Sequence, residues 1–132
     1  MKISLLLLLS IQLMALHWEH DFNQAKRKAL KQNKPIFFLL SQRECGWCEY
    51  YKNNALSHPQ IQQYLEKNFI TLELYNEDEA FPLSFKAKAT PATWLLYPNA
   101  QPMFQIIYGA LKAKTLAKYL QTTLKKNKVL TK

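Results

Sequence analysis

The 132-residue chain has too few of certain residues to build several common kinds of site. Its only glycines are Gly46 and Gly109, which excludes a Gly-rich phosphate-binding loop and a flexible Gly-rich linker. No internal repeat or low-complexity tract is present, and the length suits one domain rather than two. Seven Phe, seven Tyr and three Trp supply a core for that domain.

The first 16 residues, MKISLLLLLSIQLMAL, differ in character from the rest of the chain. One lysine precedes an apolar run from Ile3 to Leu16, which is short for a membrane span of about 20 residues. The pattern matches a secretory signal, although Ala15 gives a poor cleavage site. We predict that residues 1–16 are a signal peptide or a retained N-terminal anchor, and that residues 17–132 form one exported domain in which disulfides persist.

The chain is basic, with 18 Lys and Arg, 9 Asp and Glu, and a net charge of +9 at pH 7. Such a charge can favour nucleic acid or anionic membranes. The lysines are scattered over several amphipathic segments, and no nucleic-acid motif accompanies them. The sequence therefore predicts a solvated basic surface with no nucleic-acid partner. It predicts membrane association only if the N-terminal segment is retained.

The first half of the domain alternates helix and strand patterns. Residues 19–33 predict an amphipathic helix with these apolar residues on one face: Phe22, Ala25, Ala29 and Leu30. Residues 34–41, KPIFFLLS, predict a strand buried on both faces. Residues 49–56 suit a helix that opens at the cysteines, and Ser57 predicts a capping box for the next helix. This order is typical of an α/β protein.

The second half predicts three further strands and a closing helix. Residues 69–75, 90–97 and 103–108 have strand patterns, and the last two flank a short turn, which predicts antiparallel pairing. Residues 110–126 form the closing helix after Gly109, with these residues at helical spacing: Leu111, Leu116, Tyr119, Leu120 and Leu124. We therefore expect a mixed sheet of about four strands.

The segment CGWC places both cysteines, Cys45 and Cys48, in one short loop. As a structural staple the pair is weak, because closing so small a loop removes little entropy from the unfolded chain. A zinc site needs two more ligands, and the remaining candidates are His17, His20 and His58. The third interpretation is a redox pair, and it accounts for more of the placement of the two cysteines than the other two interpretations do.

The redox interpretation rests on the predicted position of the pair between a buried strand and a helix. Backbone N–H groups and the helix dipole at this position favour a thiolate, which is the form that attacks a disulfide. Cys45, at the helix start, is then the exposed nucleophile. Cys48, one turn later and mostly buried, resolves the mixed disulfide by attacking Cys45.

The order of these segments resembles the thioredoxin superfamily over roughly residues 18–126. The C-x-x-C helix, the later Thr90-Pro91 opening a strand pair and the ending YGALKAKTLAKYL carry the resemblance. KPIFFLLS, CGWC and residues 53–78 look more like one branch of the superfamily, which comprises exported thioredoxin-related proteins and the C-terminal domain of the bacterial transmembrane thiol–disulfide reductase. The resemblance implies a three-layer α/β sandwich with helices on both faces of a mixed sheet, and no cofactor beyond the Cys45–Cys48 pair.

The resemblance also assigns roles around the pair. It implies a cis Thr90–Pro91 bond facing the cysteines, with a proline that keeps metals away from the thiols. The backbone before that proline pairs with the substrate chain as an added strand. Trp47, between the cysteines, is either a platform for substrate or core filler, while Trp18 and Trp94 are expected to serve packing.

The sequence departs from thioredoxins at three places. Glu44 replaces an aromatic residue before the first cysteine, Gly46-Trp47 replaces Gly-Pro, and Leu39 occupies the position of the buried aspartate that helps to deprotonate the second cysteine. A water, Glu44 or Glu73 remains as a possible proton acceptor. Glu44 and Glu49 disfavour the thiolate and Arg43 partly offsets them, so the balance predicts a reductant or mild exchanger.

Three functional hypotheses follow from these residues. The first is an exported reductase of protein disulfides that receives electrons from a membrane thiol reductant. The second is a disulfide oxidase or isomerase, which uses the same residues with the electron flow reversed. The third is a non-catalytic module that holds peptides or escorts a metal on the Thr90–Pro91 surface.

Overall fold

The computed structural model describes residues 16–130. The predicted signal segment lies outside these residues except for Leu16. Within the described part, no helix is long and apolar enough to cross a membrane. The elements of residues 16–130, in chain order, are β1 (Trp18–Glu19), α1 (Phe22–Gln32), β2 (Ile36–Ser41), α2 (Gly46–Asn53), α3 (Pro59–Asn68), β3 (Ile70–Tyr75), β4 (Ala92–Leu96), β5 (Ile107–Tyr108) and α4 (Ala113–Leu130).

The strands form one mixed sheet in the order β1-β3-β2-β4-β5. β3 pairs in parallel with β1 and β2, whereas β4 pairs antiparallel with β2 and β5. The predicted α/β class and the antiparallel pairing of the last two strands are confirmed. The expected number of about four strands is corrected to five, because β1 has only two residues and so no alternating pattern.

Apolar residues of β2 point alternately to the two faces of the sheet and create two cores. Phe38 and Leu40 pack with α1 and with Phe81 and Phe85 of the β3–β4 connection. On the opposite face, Phe37 and Leu39 pack with α2, α3 and α4. All five apolar residues of β2 are fully buried, as a strand covered on both faces requires. The three-layer arrangement is therefore confirmed.

Two local predictions for the helices are wrong. Leu30 is 54% exposed, because it lies about 100° around the helix from the buried Ala29. Ser57 does not cap α3, since its hydroxyl donates to the Lys52 carbonyl instead and His58 is the N-cap residue without a side-chain bond. The position of Ser57 depends on a contact with Lys52 that spacing alone does not reveal.

The last strand and the closing helix have different bounds in the structure from those predicted. Only Ile107 and Tyr108 of the predicted strand 103–108 pair with β4 as a strand. α4 begins at Ala113 and continues to Leu130, with Leu116 and Leu120 buried. Leu111 precedes this helix, so it is not part of its buried face.

Candidate active site

Both sulfurs lie at the start of α2, where the sequence predicts them. Cys45 and Cys48 form a disulfide with an Sγ–Sγ distance of 2.17 Å. Cys45 is the N-cap residue, and its Sγ accepts the Cys48 backbone N–H at 3.1 Å. Cys45 is partly exposed, whereas Cys48 is 2% exposed. The pair therefore has one accessible sulfur at the positive end of a helix and one sulfur behind it.

The loop before the disulfide is fixed by Arg43. Its guanidinium donates to both carboxylate oxygens of Asp78, at 2.7 and 2.9 Å, and lies 4.3 Å from the centre of the Tyr75 ring. The hydrogen bond from Arg43 lowers the pKa of Asp78, and the hydrogen bond to Asp78 raises the pKa of Arg43. Its charge is paired with Asp78 in the segment after β3, which weakens the offset that Arg43 gives to Glu44 and Glu49.

Thr90 and Pro91 lie against Cys45 although they are distant in sequence. The Thr90 carbonyl oxygen is 3.8 Å and its Oγ1 is 3.5 Å from Cys45 Sγ. The Thr90–Pro91 bond is cis, and the Pro91 carbonyl accepts the Gly109 N–H at 2.8 Å. Gly109 has a φ of 92°, in a region that glycine adopts without strain. These contacts join the two strands of the antiparallel pair to the sulfur site.

Trp47 is a surface residue beside the disulfide. It is 67% exposed, which rules out a role as core filler. Its ring contacts Tyr50 edge to face, with centroids 5.4 Å apart. The two rings line an open groove of about 760 Å³ that extends to Ala110 and Lys112. By contrast, Trp94 packs against the core and donates its indole N–H to the Phe85 carbonyl at 2.8 Å.

A charged pair lies between the sheet and α2. Glu73 pairs in register with Leu39, which faces α2, so its carboxylate points toward the same helix. Its Oε2 accepts from Ser41 Oγ at 2.7 Å and from Lys52 Nζ at 2.9 Å. Burial lowers the pKa of Lys52, but the hydrogen bond and charge of Glu73 outweigh it and raise that pKa. Lys52 lies one helical turn after Cys48 in α2, so the Glu73–Lys52 pair is on the helix that carries the disulfide.

Two polar residues at the site were not predicted from the sequence. Gln42 Oε1 accepts a hydrogen bond from Thr90 Oγ1 at 3.2 Å, and Lys52 bonds Glu73 as described above. Glu73 was expected only as one of three candidate proton acceptors, beside a water and Glu44. The available signal was a carboxylate inside the largely buried strand β3, because a carboxylate requires a partner when it is buried.

The histidines considered as zinc ligands occupy other places. His17 Nε2 is 3.1 Å from a carboxylate oxygen of Glu19, and His20 Nδ1 is 3.1 Å from the Glu73 carbonyl oxygen. Within residues 16–130, no three His, Cys, Asp or Glu side chains are grouped to hold a metal ion. The cysteines are bonded to each other. The geometry of the pair is that of a dithiol–disulfide site.

Comparison with known proteins identifies the family of this arrangement. A family model described as thioredoxin-like matches residues 17–98, more than half of the chain. The chain belongs to the thioredoxin-like family. Among curated proteins, this thioredoxin-like chain is 27% identical to spermatogenesis-associated protein 20 from Homo sapiens over 94 residues, which are 64% of the chain and 12% of that protein. It is 24% identical to anterior gradient protein 3 from Mus musculus over 82 residues, 62% of the chain and 50% of that protein. The chain spans half or less of these relatives.

Solved structures match a larger share of the thioredoxin-like chain. A thioredoxin from Thermus thermophilus has a TM-score of 0.75 at 18% identity, covering 90% of this chain and 95% of the other. A DsbH oxidoreductase has a TM-score of 0.69 at 15% identity, covering 84% and 85%. A thioredoxin h from poplar has a TM-score of 0.63 at 20% identity, covering 80% and 94%. These likenesses confirm the thioredoxin fold, whereas similarity to the transmembrane reductase stays a prediction.

Proposed function

We propose that the protein is an exported thiol–disulfide oxidoreductase that reduces or exchanges protein disulfides through Cys45 and Cys48. The observation that carries this proposal is the placement of Cys45. Its partly exposed sulfur accepts a backbone N–H at the start of α2, and Thr90 lies beside it. The same N–H group stabilises a thiolate when the disulfide is reduced, since charge-assisted hydrogen bonds are stronger than neutral ones.

The proposed reaction has two balanced steps. The Cys45 thiolate attacks one sulfur of a substrate disulfide, forms a mixed disulfide and releases the other substrate sulfur as a thiolate, which takes a proton. The Cys48 thiol then loses its proton and attacks Cys45 Sγ, releasing the second substrate thiolate. The substrate gains two electrons and two protons, and the enzyme ends with the Cys45–Cys48 disulfide seen in the structure.

Cys48 needs help to ionise because it is 2% exposed. Burial without a partner charge disfavours a thiolate. Lys52 lies one turn further along α2 and is held by Glu73, so its ammonium group favours the developing negative charge on Cys48. Tyr51 does not serve as a base, because burial raises the pKa of its phenol and keeps the proton on it.

Substrate binding in this proposal uses the surface around the disulfide. The backbone at Thr90 adds the substrate chain as a strand, and Trp47 with Tyr50 receives apolar side chains beside the reacting sulfur. Exposed aromatic rings of this kind are common in protein-binding surfaces. A non-catalytic binding module would use the same surface. Unchanged ligand binding and function after Cys45→Ala and Cys48→Ala together would favour that alternative.

The proposed direction is reduction of substrate, with electrons from a membrane thiol reductant. Glu44 and Glu49 flank the site, Glu49 is exposed with Lys52 Nζ at 3.6 Å, and Arg43 is paired elsewhere. Nearby carboxylates disfavour the Cys45 thiolate and so favour a reducing pair. Equilibration with glutathione tests this direction. A potential above about −150 mV would support an oxidase or isomerase instead.

Insulin reduction with dithiothreitol as electron donor tests the activity itself. The wild-type protein is expected to accelerate precipitation of the insulin B chain, and Cys45→Ser is expected to abolish the acceleration. Cys48→Ser is the matched control, because it retains the attacking sulfur and accumulates a mixed disulfide without rapid turnover. Undiminished acceleration by Cys45→Ser would refute the assignment of the nucleophile.

Export is the part of the proposal that depends on residues 1–16. It is supported by the lysine and apolar run of that segment. Fusion of residues 1–16 to a reporter enzyme that is active only outside the cytoplasm tests it. Activity of the fusion is expected, and an inactive, fully expressed fusion would contradict export.

A further inference from the structure

The Thr90 hydroxyl has one proton and two possible acceptors. Its Oγ1 is 3.2 Å from Gln42 Oε1 and 3.5 Å from Cys45 Sγ. In the disulfide state the sulfur is a weak acceptor, so the amide oxygen of Gln42 accepts the hydrogen bond from the Thr90 hydroxyl. Gln42 is exposed, whereas Thr90 is partly buried.

Reduction changes the balance between these acceptors. A donor dithiol breaks the Cys45–Cys48 bond, gives two electrons to the two sulfurs and becomes a disulfide itself. Of its two protons, one goes to Cys48 and one to solvent, which leaves Cys45 as a thiolate. An ionised sulfur is a much stronger acceptor than a disulfide sulfur. The Thr90 hydroxyl keeps its proton and turns it from Gln42 to Cys45.

We propose that Gln42 is a positioning residue that competes with the Cys45 thiolate for the single hydrogen bond that the Thr90 hydroxyl can donate. The competition makes thiolate formation less favourable than it would be with an apolar residue at position 42. It therefore biases the pair toward the reducing side, because a less stable thiolate makes the reduced form a better electron donor. This inference rests on the proposed function and identifies a residue that tunes it.

The measurement is the pKa of Cys45 in the reduced full-length protein, followed by thiolate absorbance near 240 nm as pH is raised. Gln42→Leu is expected to lower this pKa by about half a unit, a roughly threefold gain in thiolate at pH values below it. Thr90→Val removes the donor and is expected to raise the pKa by about one unit. Thr90→Ser retains the hydroxyl and is expected to stay near wild type.

The double variant separates competition from a structural effect. In the Thr90→Val background, Gln42→Leu is expected to cause no further shift, because no proton remains to compete for. The charged groups near the site are the same in all these variants and cancel in the comparison: Arg43, Glu44, Glu49, Lys52, Glu73, Glu77, Asp78 and Lys88. A Gln42→Leu shift that is absent, upward, or equal in both backgrounds would overturn the proposal.

A second substitution covers the case in which Gln42→Leu does not fold. Gln42→Glu supplies a stronger acceptor at the same place and is expected to raise the pKa of Cys45, by more with Thr90 present than in the Thr90→Val background. An equal rise in both backgrounds would show a charge effect alone and refute the competition. The titration needs no protein substrate, so its outcome is independent of whether insulin is reduced.

Discussion

Glu73→Gln tests the charged pair beneath the active-site helix. The substitution keeps the shape of the side chain and an oxygen for Ser41, but it removes the charge that Lys52 faces at 2.9 Å. The side chains of Glu73 and Lys52 are 12% and 28% exposed, so the pair is largely screened from water. A hydrogen bond between charged groups contributes about 1.5–3 kcal/mol. Because Lys52 can regain some water, we expect a loss near the lower end of that range.

Urea unfolding of the oxidised protein, followed by tryptophan fluorescence at pH 7, measures this loss. With a slope of about 1.5 kcal/mol per molar urea, the midpoint is expected to fall by about 1 M. The matched control is Glu79→Gln, since Glu79 pairs with Lys86 on the surface, where the two side chains are 44% and 46% exposed. That change is expected to alter stability by no more than about 0.5 kcal/mol. Equal midpoints for both variants would refute the stabilising role of the buried pair.

Three further predictions concern the fold and the surface. Asp21→Ala removes the cap that accepts the Gln24 N–H at 2.7 Å, and urea unfolding should show a loss of about 1 kcal/mol; an unchanged midpoint would contradict the cap. Burial raises the pKa of Glu19, but Lys28 outweighs it and the net pKa is lowered from 4.5. The stability that ionised Glu19 contributes through Lys28 is therefore present above about pH 4.5 and is lost as the pH falls below that value. Unfolding measured against pH should show a smaller loss in Lys28→Met, and an identical profile would contradict the pairing. Trp47→Ala should raise KM for insulin several-fold with the unfolding midpoint unchanged, because the ring is 67% exposed; an unchanged KM would remove Trp47 from the binding surface.

The local pattern of apolar residues predicted most of the helices and strands, because each long segment has a clear hydrophobic pattern. The apolar run of β2 is buried on both faces, and Phe22, Ala25 and Ala29 lie on the predicted buried face of α1. The strand–cysteine–helix order placed Cys45 at the start of α2. These features depend on residues close in sequence. For the same reason β1 was missed, since its two residues gain their strand geometry only by pairing with β3.

The remaining features of the site depend on tertiary contacts. Arg43 was expected to offset the charges of Glu44 and Glu49 in part, but its guanidinium binds Asp78 in the segment after β3. The sequence does not identify Gln42 as a site residue, because its contact is with a distant part of the chain. The fold brings Thr90 Oγ1 to 3.2 Å from Gln42 Oε1. From the sequence, Lys52 is an ordinary surface residue of an amphipathic helix. Its contact with Glu73 depends on the β2–β3 register, which directs Glu73 toward it.

The attacking sulfur can be identified directly with the two single serine variants. Each reduced variant is mixed with an excess of an aromatic disulfide, digested without reductant and analysed by peptide mass spectrometry after short reaction times. We expect Cys48→Ser to form the adduct on Cys45 at a rate at least tenfold higher than Cys45→Ser forms it on Cys48, because Cys48 is 2% exposed. Equal rates, or faster modification of Cys48, would contradict the proposed mechanism.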